Sequence, residues 1–214
     1  MKVYFIPGLG ADKRVFRHIQ LPKGCDMVHL DWLPPQAEES LSSYAARLAA
    51  GIDHEKEWAL VGLSFGGMLA SEISHRFRPA KTVLISTAAH SSQLPVYFRK
   101  LAPLQLHRVL PIGLFKNASL AKRIFTTETT ADKELLRRII RESDPAFIRW
   151  ALGAIVQWES RYPPQHHIHI HGNKDRLLPI RYCQPTHIIE NAGHLLVMNR
   201  ADALNRILGE IFAA

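Results

Sequence analysis

The stretch Trp58-Ala59-Leu60-Val61-Gly62-Leu63-Ser64-Phe65-Gly66-Gly67 decides the fold. Its first six residues form an apolar run of the length of a buried strand, and from Phe65 to Arg78 the apolar spacing becomes helical. Ser64 stands at the junction, with Gly62 and Gly66 two positions away on either side. A strand that turns abruptly into a helix forces the residue between them into a strained backbone conformation. Neighbours with side chains would collide there, hence the two glycines. The turn lifts the Ser64 hydroxyl clear of the sheet, and the helix N-terminus behind it offers unpaired N–H groups and a positive dipole end, which suit an oxyanion. A glycine-rich turn with a helix-capping serine is the competing explanation. An unassisted serine hydroxyl is a poor nucleophile near neutral pH, so the nucleophile reading demands a histidine base and an acid to orient it.

Outward from this junction the same pattern recurs. Lys2 to Pro7, Met27 to Trp32, Lys81 to Ser86, Ile168 to His171 and Thr186 to Glu190 read as further strands. Helical spacing runs over Lys13 to Ile19, Leu41 to Ile52 and Ala201 to Phe212. Strands alternating with helices imply parallel strands joined by right-handed crossovers, so the fold class expected is α/β, a doubly wound, mostly parallel sheet of six strands with helices on both faces. Between Ala89 and His166 the alternation stops. Helical segments alone are predicted there, over Tyr97 to Leu110, Leu120 to Phe125, Ala131 to Ser143 and Pro145 to Trp158. Asp144-Pro145 is a strong helix start, Thr129 followed by Asp132 resembles a capping box with a short acid, and Asp12 reads as an N-cap. The organisation expected is a core of residues 1–89 and 166–214 with a helical cap, 90–165, over the carboxyl ends of the strands, all one folding unit. Open α/β sheets place their ligands at those ends.

Twelve histidines compete for the role of base. His194, in Asn191-Ala192-Gly193-His194, follows the strand Thr186 to Glu190 and precedes the final helix, which puts it on the same rim as Ser64. Asp175, in His171-Gly172-Asn173-Lys174-Asp175, follows another strand and is the candidate acid. Its bland alternative is a turn residue. The loop after Lys81 to Ser86, Thr87-Ala88-Ala89-His90, carries no carboxylate to rival it. The chain order Ser64, Asp175, His194 is that of α/β hydrolases.

Four motifs in this order carry a family resemblance: Pro7-Gly8-Leu9-Gly10 after the first strand, Gly62-Leu63-Ser64-Phe65-Gly66-Gly67, His171-Gly172 with Asp175 and Pro179, and Gly193-His194. Over nearly its whole length the chain resembles an α/β-hydrolase-fold protein. The resemblance implies a cofactor-independent serine hydrolase whose oxyanion hole is formed by the backbone N–H groups of Leu9 and Phe65, with carboxylic esters as the default substrate. Thioester, amide and carbon–carbon cleavage use the same constellation. A serine at the elbow argues against the branches with an aspartate there, the haloalkane dehalogenases and epoxide hydrolases. Three departures from the family stand out: Pro7-Gly8 in place of a common His-Gly, an apparent lack of two N-terminal strands, and Asn199-Arg200 where a proline is frequent. The second leaves a different sheet edge, open to a homodimer contact.

Composition bounds the rest. The chain has 214 residues, 47% hydrophobic and 21% charged, the profile of a globular domain with a real core. Met1 to Pro7 holds too short an apolar run for a signal peptide and nothing later sustains a membrane helix, so the expectation is a cytoplasmic protein with no membrane partner. Cys25 and Cys183 read as ordinary reduced thiols. His167, His169 and His171 share one face of a strand, but three ligands along a straight strand splay too far to converge, so no metal is expected. Of the net charge of +8, +6 lies between His90 and Gln165. Arg99, Lys100, Arg108, Arg123, Arg137, Arg138 and Arg141 are read as solvated helix faces in preference to residues that draw an anionic substrate inward. No nucleic-acid motif or interleaved aromatics accompany them, so no nucleic-acid partner is expected. A ligand receptor with little turnover is the rival that keeps the fold and changes the function.

Overall fold

The computed structural model describes residues 1–101 and 128–213, with residues 99–101 as backbone only. The helical segments predicted for 102–110 and 120–125, and with them Arg108 and Arg123, lie outside the described residues.

Six strands form one sheet: β1 (Lys2–Ile6), β2 (Asp26–His29), β3 (Trp58–Leu63), β4 (Lys81–Ile85), β5 (His167–Gly172) and β6 (His187–Ile189). Their order is β2-β1-β3-β4-β5-β6 and every neighbouring pair is parallel. Each parallel step needs a crossover; helices supply those from β2 to β3, β3 to β4 and β4 to β5, and 3₁₀ turns lie in those from β1 to β2 and from β5 to β6. The register levels the strand ends that matter: Ile6 lies opposite Gly62, Leu63 opposite Ile85, and Ile85 opposite Ile170. The loops leaving β1, β3, β4 and β5 therefore share one rim.

Alternate strand residues feed two separate cores. Tyr4, Ile6, Leu60 and Leu84 face α1 (Leu41–Leu48) and α2 (Phe65–Phe77), while Val3, Phe5, Val61, Val83, Ile85 and Ile170 face the C-terminal helices. Some elements are shorter than their sequence pattern. The pattern over Lys13 to Ile19 yields a 3₁₀ turn, Lys13–Phe16, started by Asp12, whose Oδ1 accepts from Arg14 N at 2.9 Å. Strand β2 stops at His29, and Trp32 leaves the sheet to donate its indole N–H to Ala11 O at 2.8 Å. The helix predicted to Ile52 ends at Leu48 and tightens into a 3₁₀ turn, Ala49–Gly51.

Among the described residues no strand falls between β4 and β5. Helices α3 (Val96–Leu101), α4 (Thr130–Glu142) and α5 (Pro145–Val156) occupy that interval. Asp144 caps α5, accepting from Ala146 N at 2.8 Å, with Pro145 in the first turn. Thr129 caps α4 by accepting from Asp132 N at 3.1 Å. Its hydroxyl donates back to Asp132 Oδ2 at 2.6 Å, so the short acid meets the capping hydroxyl instead of the backbone N–H that a longer glutamate would reach. Leu136, Ile139 and Ile140 of α4 join one core, and Phe147, Ala151 and Ile155 of α5 join the other. The two helices are thus packed into both layers of the sheet protein. Helices α6 (Leu196–Asn199) and α7 (Ala201–Ala213) complete the C-terminal side.

Candidate active site

The turn from β3 into α2 has no room for side chains at its glycines. A Cβ built on Gly62 would stand 2.4 Å from Gly66 O, and one on Gly66 2.3 Å from both Ile6 O and Pro7 O. With the chain so compressed, Ser64 adopts φ 52° and ψ −118°, a region that residues with a Cβ rarely enter. Its backbone is clamped on both sides. Ser64 N donates to Ile85 O at 2.9 Å, while Ser64 O accepts from the Thr87 hydroxyl at 2.6 Å and from Gly67 N at 2.8 Å. The hydroxyl caps nothing in α2, which removes the capping-serine explanation.

That hydroxyl instead meets His194. The Ser64 Oγ to His194 Nε2 distance is 2.9 Å, and His194 Nδ1 lies 2.7 Å from Asp175 Oδ2. An ionised carboxylate only accepts, so Nδ1 carries the ring proton and Nε2 of the neutral imidazole accepts from the serine. The loops bearing base and acid are tied to each other: Lys174 N donates to Ala192 O at 2.9 Å, and Asn191 N to Asn173 Oδ1 at 2.8 Å. Asp175 is held in turn by Leu177 N and Leu178 N, each donating to Oδ1 at 2.9 Å. Ser64 is partly accessible, whereas Asp175 and His194 are buried. Burial alone would raise the Asp175 carboxyl. The electrostatic pull of the His194 ring, the bonds from His171 and His194 and the N–H of Leu178 outweigh it, and the group sits well below the ordinary carboxylate range.

Leu9 and Phe65 line one apolar cavity of about 100 Å³ together with Ser64 and His194. Gly8 abuts the serine, since a Cβ built on it would lie 3.3 Å from Ser64 Cβ. Phe65 is the first residue of α2, where the helix itself provides no acceptor for the N–H. Met68, Leu136, Ile140, Leu152, Ile155 and Leu177 contribute further wall. Among the described residues no Lys, Arg, Asp or Glu lines it. Arg137, Arg138 and Arg141 are exposed on α4. Trp150 and Trp158 anchor α5, donating to Glu39 O and Glu72 Oε1 at 2.8 Å each.

Two neighbours of the site hold places that the sequence reading did not assign to them. Thr87 holds the elbow carbonyl as described. His171 Nε2 lies 3.3 Å from Asp175 Oδ2 and 2.8 Å from Leu178 O, so the acid sits between two imidazoles. Burial pushes His171 down, but its bond to Asp175 and its contact with Cys183 outweigh that and raise it to about 10. Its spacing of four residues before Asp175 was the available signal, masked by the strand alternation that accounts for a histidine there equally well. Of the three strand histidines, His167 turns away to Pro164 O at 2.8 Å, while the His169 and His171 rings lie 5.3 Å apart.

The arrangement can pass a proton from a serine hydroxyl to an imidazole as the oxygen attacks a carbonyl, with a buried carboxylate steadying the cation. No curated protein matches the chain in sequence. Among solved structures, the enol-lactonase from Burkholderia xenovorans superposes with a TM-score of 0.78 at 18% identity, covering 100% of this chain and 91% of that one. An esterase from Exiguobacterium antarcticum gives 0.75 at 13% identity, with 100% and 92% covered. A bromoperoxidase from Bacillus anthracis gives 0.71 at 16% identity, with 97% and 90% covered. At such identities these likenesses speak for the fold. A family model, Alpha/beta hydrolase family, matches residues 3–207. On that match, spanning almost all of the six-stranded parallel architecture and its elbow, the chain belongs to the alpha/beta hydrolase family.

Proposed function

We propose that the protein is a serine hydrolase that cleaves a carboxylic ester through an acyl-enzyme. Ser64 is the nucleophile, His194 the general base and then general acid, Asp175 the orienting acid, and the N–H groups of Leu9 and Phe65 the oxyanion donors. In the first half His194 takes the Ser64 proton as Oγ attacks the carbonyl carbon, then returns it to the departing alkoxide. In the second half the same imidazole deprotonates water, which releases the acid and restores the serine. Asp175 keeps Nδ1 protonated throughout and stabilises the imidazolium.

The observation that carries this reading is the continuous relay of 2.9 Å and 2.7 Å contacts from Ser64 Oγ through His194 to Asp175. The apolar cavity beside it favours a neutral hydrocarbon acyl or alkyl group, because a carboxylate placed there would lose its hydration without a partner among the described walls. The enol-lactonase and esterase names borne by structures of the same fold agree with an ester substrate. A series of p-nitrophenyl esters graded by acyl length and charge tests the reading. Activity is expected on short neutral acyl groups, with a drop of about 10⁴-fold or more in kcat in Ser64→Ala and of about 10⁴-fold in Asp175→Asn. Wild-type rates in the folded Ser64→Ala protein would remove the proposal.

A further inference from the structure

Behind Asp175, on the side away from Ser64, two buried imidazoles and a thiol face one another. His169 Nε2 and His171 Nδ1 are 3.3 Å apart, and one donor atom from each of His169, His171 and Cys183 falls within 4.8 Å of the others. Both histidines are fully buried, while Cys183 is partly accessible and opens the cluster toward solvent. The His169 ring meets the cluster through Nε2, while its Nδ1, on the other edge of the ring, is buried with no hydrogen-bond partner. We infer that His169, His171 and Cys183 form a site for a zinc-class divalent metal ion, which clasps the loop carrying Asp175 onto β5.

The geometry suits such an ion. In a tetrahedron with Zn–N bonds of about 2.0–2.1 Å, two nitrogen ligands stand about 3.3 Å apart, the separation found between the two imidazoles. A thiolate at about 2.3 Å from the metal would stand about 3.6 Å from each nitrogen, so Cys183 Sγ, now within 4.8 Å of both, moves inward by up to about 1 Å. His171 is already oriented as a ligand. Its Nε2 faces Leu178 O at 2.8 Å and Asp175 Oδ2 at 3.3 Å, both acceptors, so the proton on that nitrogen is spoken for and Nδ1 can turn its lone pair to a metal. An ion there replaces the protons of the Cys183 thiol and of His171 Nδ1, which pass to solvent. Two imidazoles with one thiolate select zinc, cobalt or copper over magnesium or calcium, which prefer oxygen. A fourth position is left for water.

The strand histidines alone do not converge, because His167 turns to Pro164 O. The third donor comes from outside the strand. Cys183 follows the 3₁₀ turn Ile180–Tyr182, and the chain from Gly172 to Cys183 must fold back over β5 to deliver it. Ligands at both ends of that segment would close it around Asp175.

The site does not depend on the hydrolase reading, and its test is made on binding. Tag-free full-length protein, stripped with chelator, is titrated with Co²⁺ and followed by absorbance and by melting temperature. One equivalent is expected to bind, with a thiolate-to-cobalt charge-transfer band in the near ultraviolet and a raised Tm, and Zn²⁺ should displace it. Cys183→Ala and His169→Gln, each checked for native circular dichroism, should weaken binding by roughly 100-fold or more, since losing even a ligand's hydrogen-bond partner costs about 10–100-fold. His166→Ala, exposed and outside the cluster, should bind as wild type, and so should Ser64→Ala. Absence of the thiolate band, or Co²⁺ affinity unchanged in Cys183→Ala, overturns the site and leaves the hydrolase proposal standing.

Discussion

Gly66 leaves no space for one more carbon, because the atoms an added Cβ would meet at 2.3 Å are the backbone carbonyl oxygens of Ile6 and Pro7 and not the tips of flexible side chains. Gly66→Ala must therefore push α2 off β1 or shift the loop that carries Leu9. We expect a loss of about 3 kcal/mol or more in chemical denaturation and a lowered Tm, the upper end of overpacking costs. A Tm equal to wild type would show that the elbow relaxes freely. Single positions such as Ser64, Asp175 and His194 were legible in the sequence because each sits just past a strand, where chain order and glycine spacing restrict the possibilities. The contact of His171 with Asp175, and that of Cys183 with the His169–His171 pair, were not. Both depend on how residues 173–183 fold back, and alternation along one strand carries no information about that.

Helix α4 is fastened through its first turn. Asp132 receives the Thr129 hydroxyl at 2.6 Å, lies 2.8 Å from Arg17 and 3.1 Å from His18, and so fastens α4 to the chain after the first 3₁₀ turn. Burial alone would raise its carboxyl, but the Thr129 and His18 bonds and the charge of Arg17 outweigh that and hold it below the ordinary value. A carboxyl lowered by folding contributes stability that is present above its unfolded pKa of about 3.9 and is lost as pH falls through the lower folded value. Asp132→Asn should therefore cost about 1–3 kcal/mol at pH 7, with the difference from wild type shrinking as pH drops below about 4. A difference independent of pH in urea titrations would place the effect elsewhere. At this scale the sequence reading located all six strands and the starts of α4 and α5, since hydrophobic period and capping residues are local. Element ends were harder to read. Trp32 leaves β2 for a hydrogen bond to Ala11, a tertiary contact that no local pattern announces.

At the scale of the molecule, the net charge of +8 is concentrated between His90 and Gln165, yet the described cationic side chains of α4 point to solvent while its apolar face walls the cavity with Leu136 and Ile140. Replacing Arg137 and Arg138 together by alanine should change kcat/KM for a neutral ester by less than about 2-fold, and exposed charges should alter it no further as salt rises. A many-fold change with a neutral ester would bring these residues into the site. No described helix is long and apolar enough to cross a membrane. The fold class followed from the alternation of strands and helices, but the cavity did not, because its shape depends on how α4 and α5 pack against separate faces of the sheet. In the proposed mechanism Ser64 is made nucleophilic by His194 and Asp175. Exposure of the folded protein to a fluorophosphonate, followed by intact-mass and peptide mapping, tests it most directly. One adduct per chain is expected, on Ser64, formed slowly or not at all in His194→Ala and absent in Ser64→Ala; a folded wild-type protein that stays unlabelled, or labels at another residue, would overturn the nucleophile assignment.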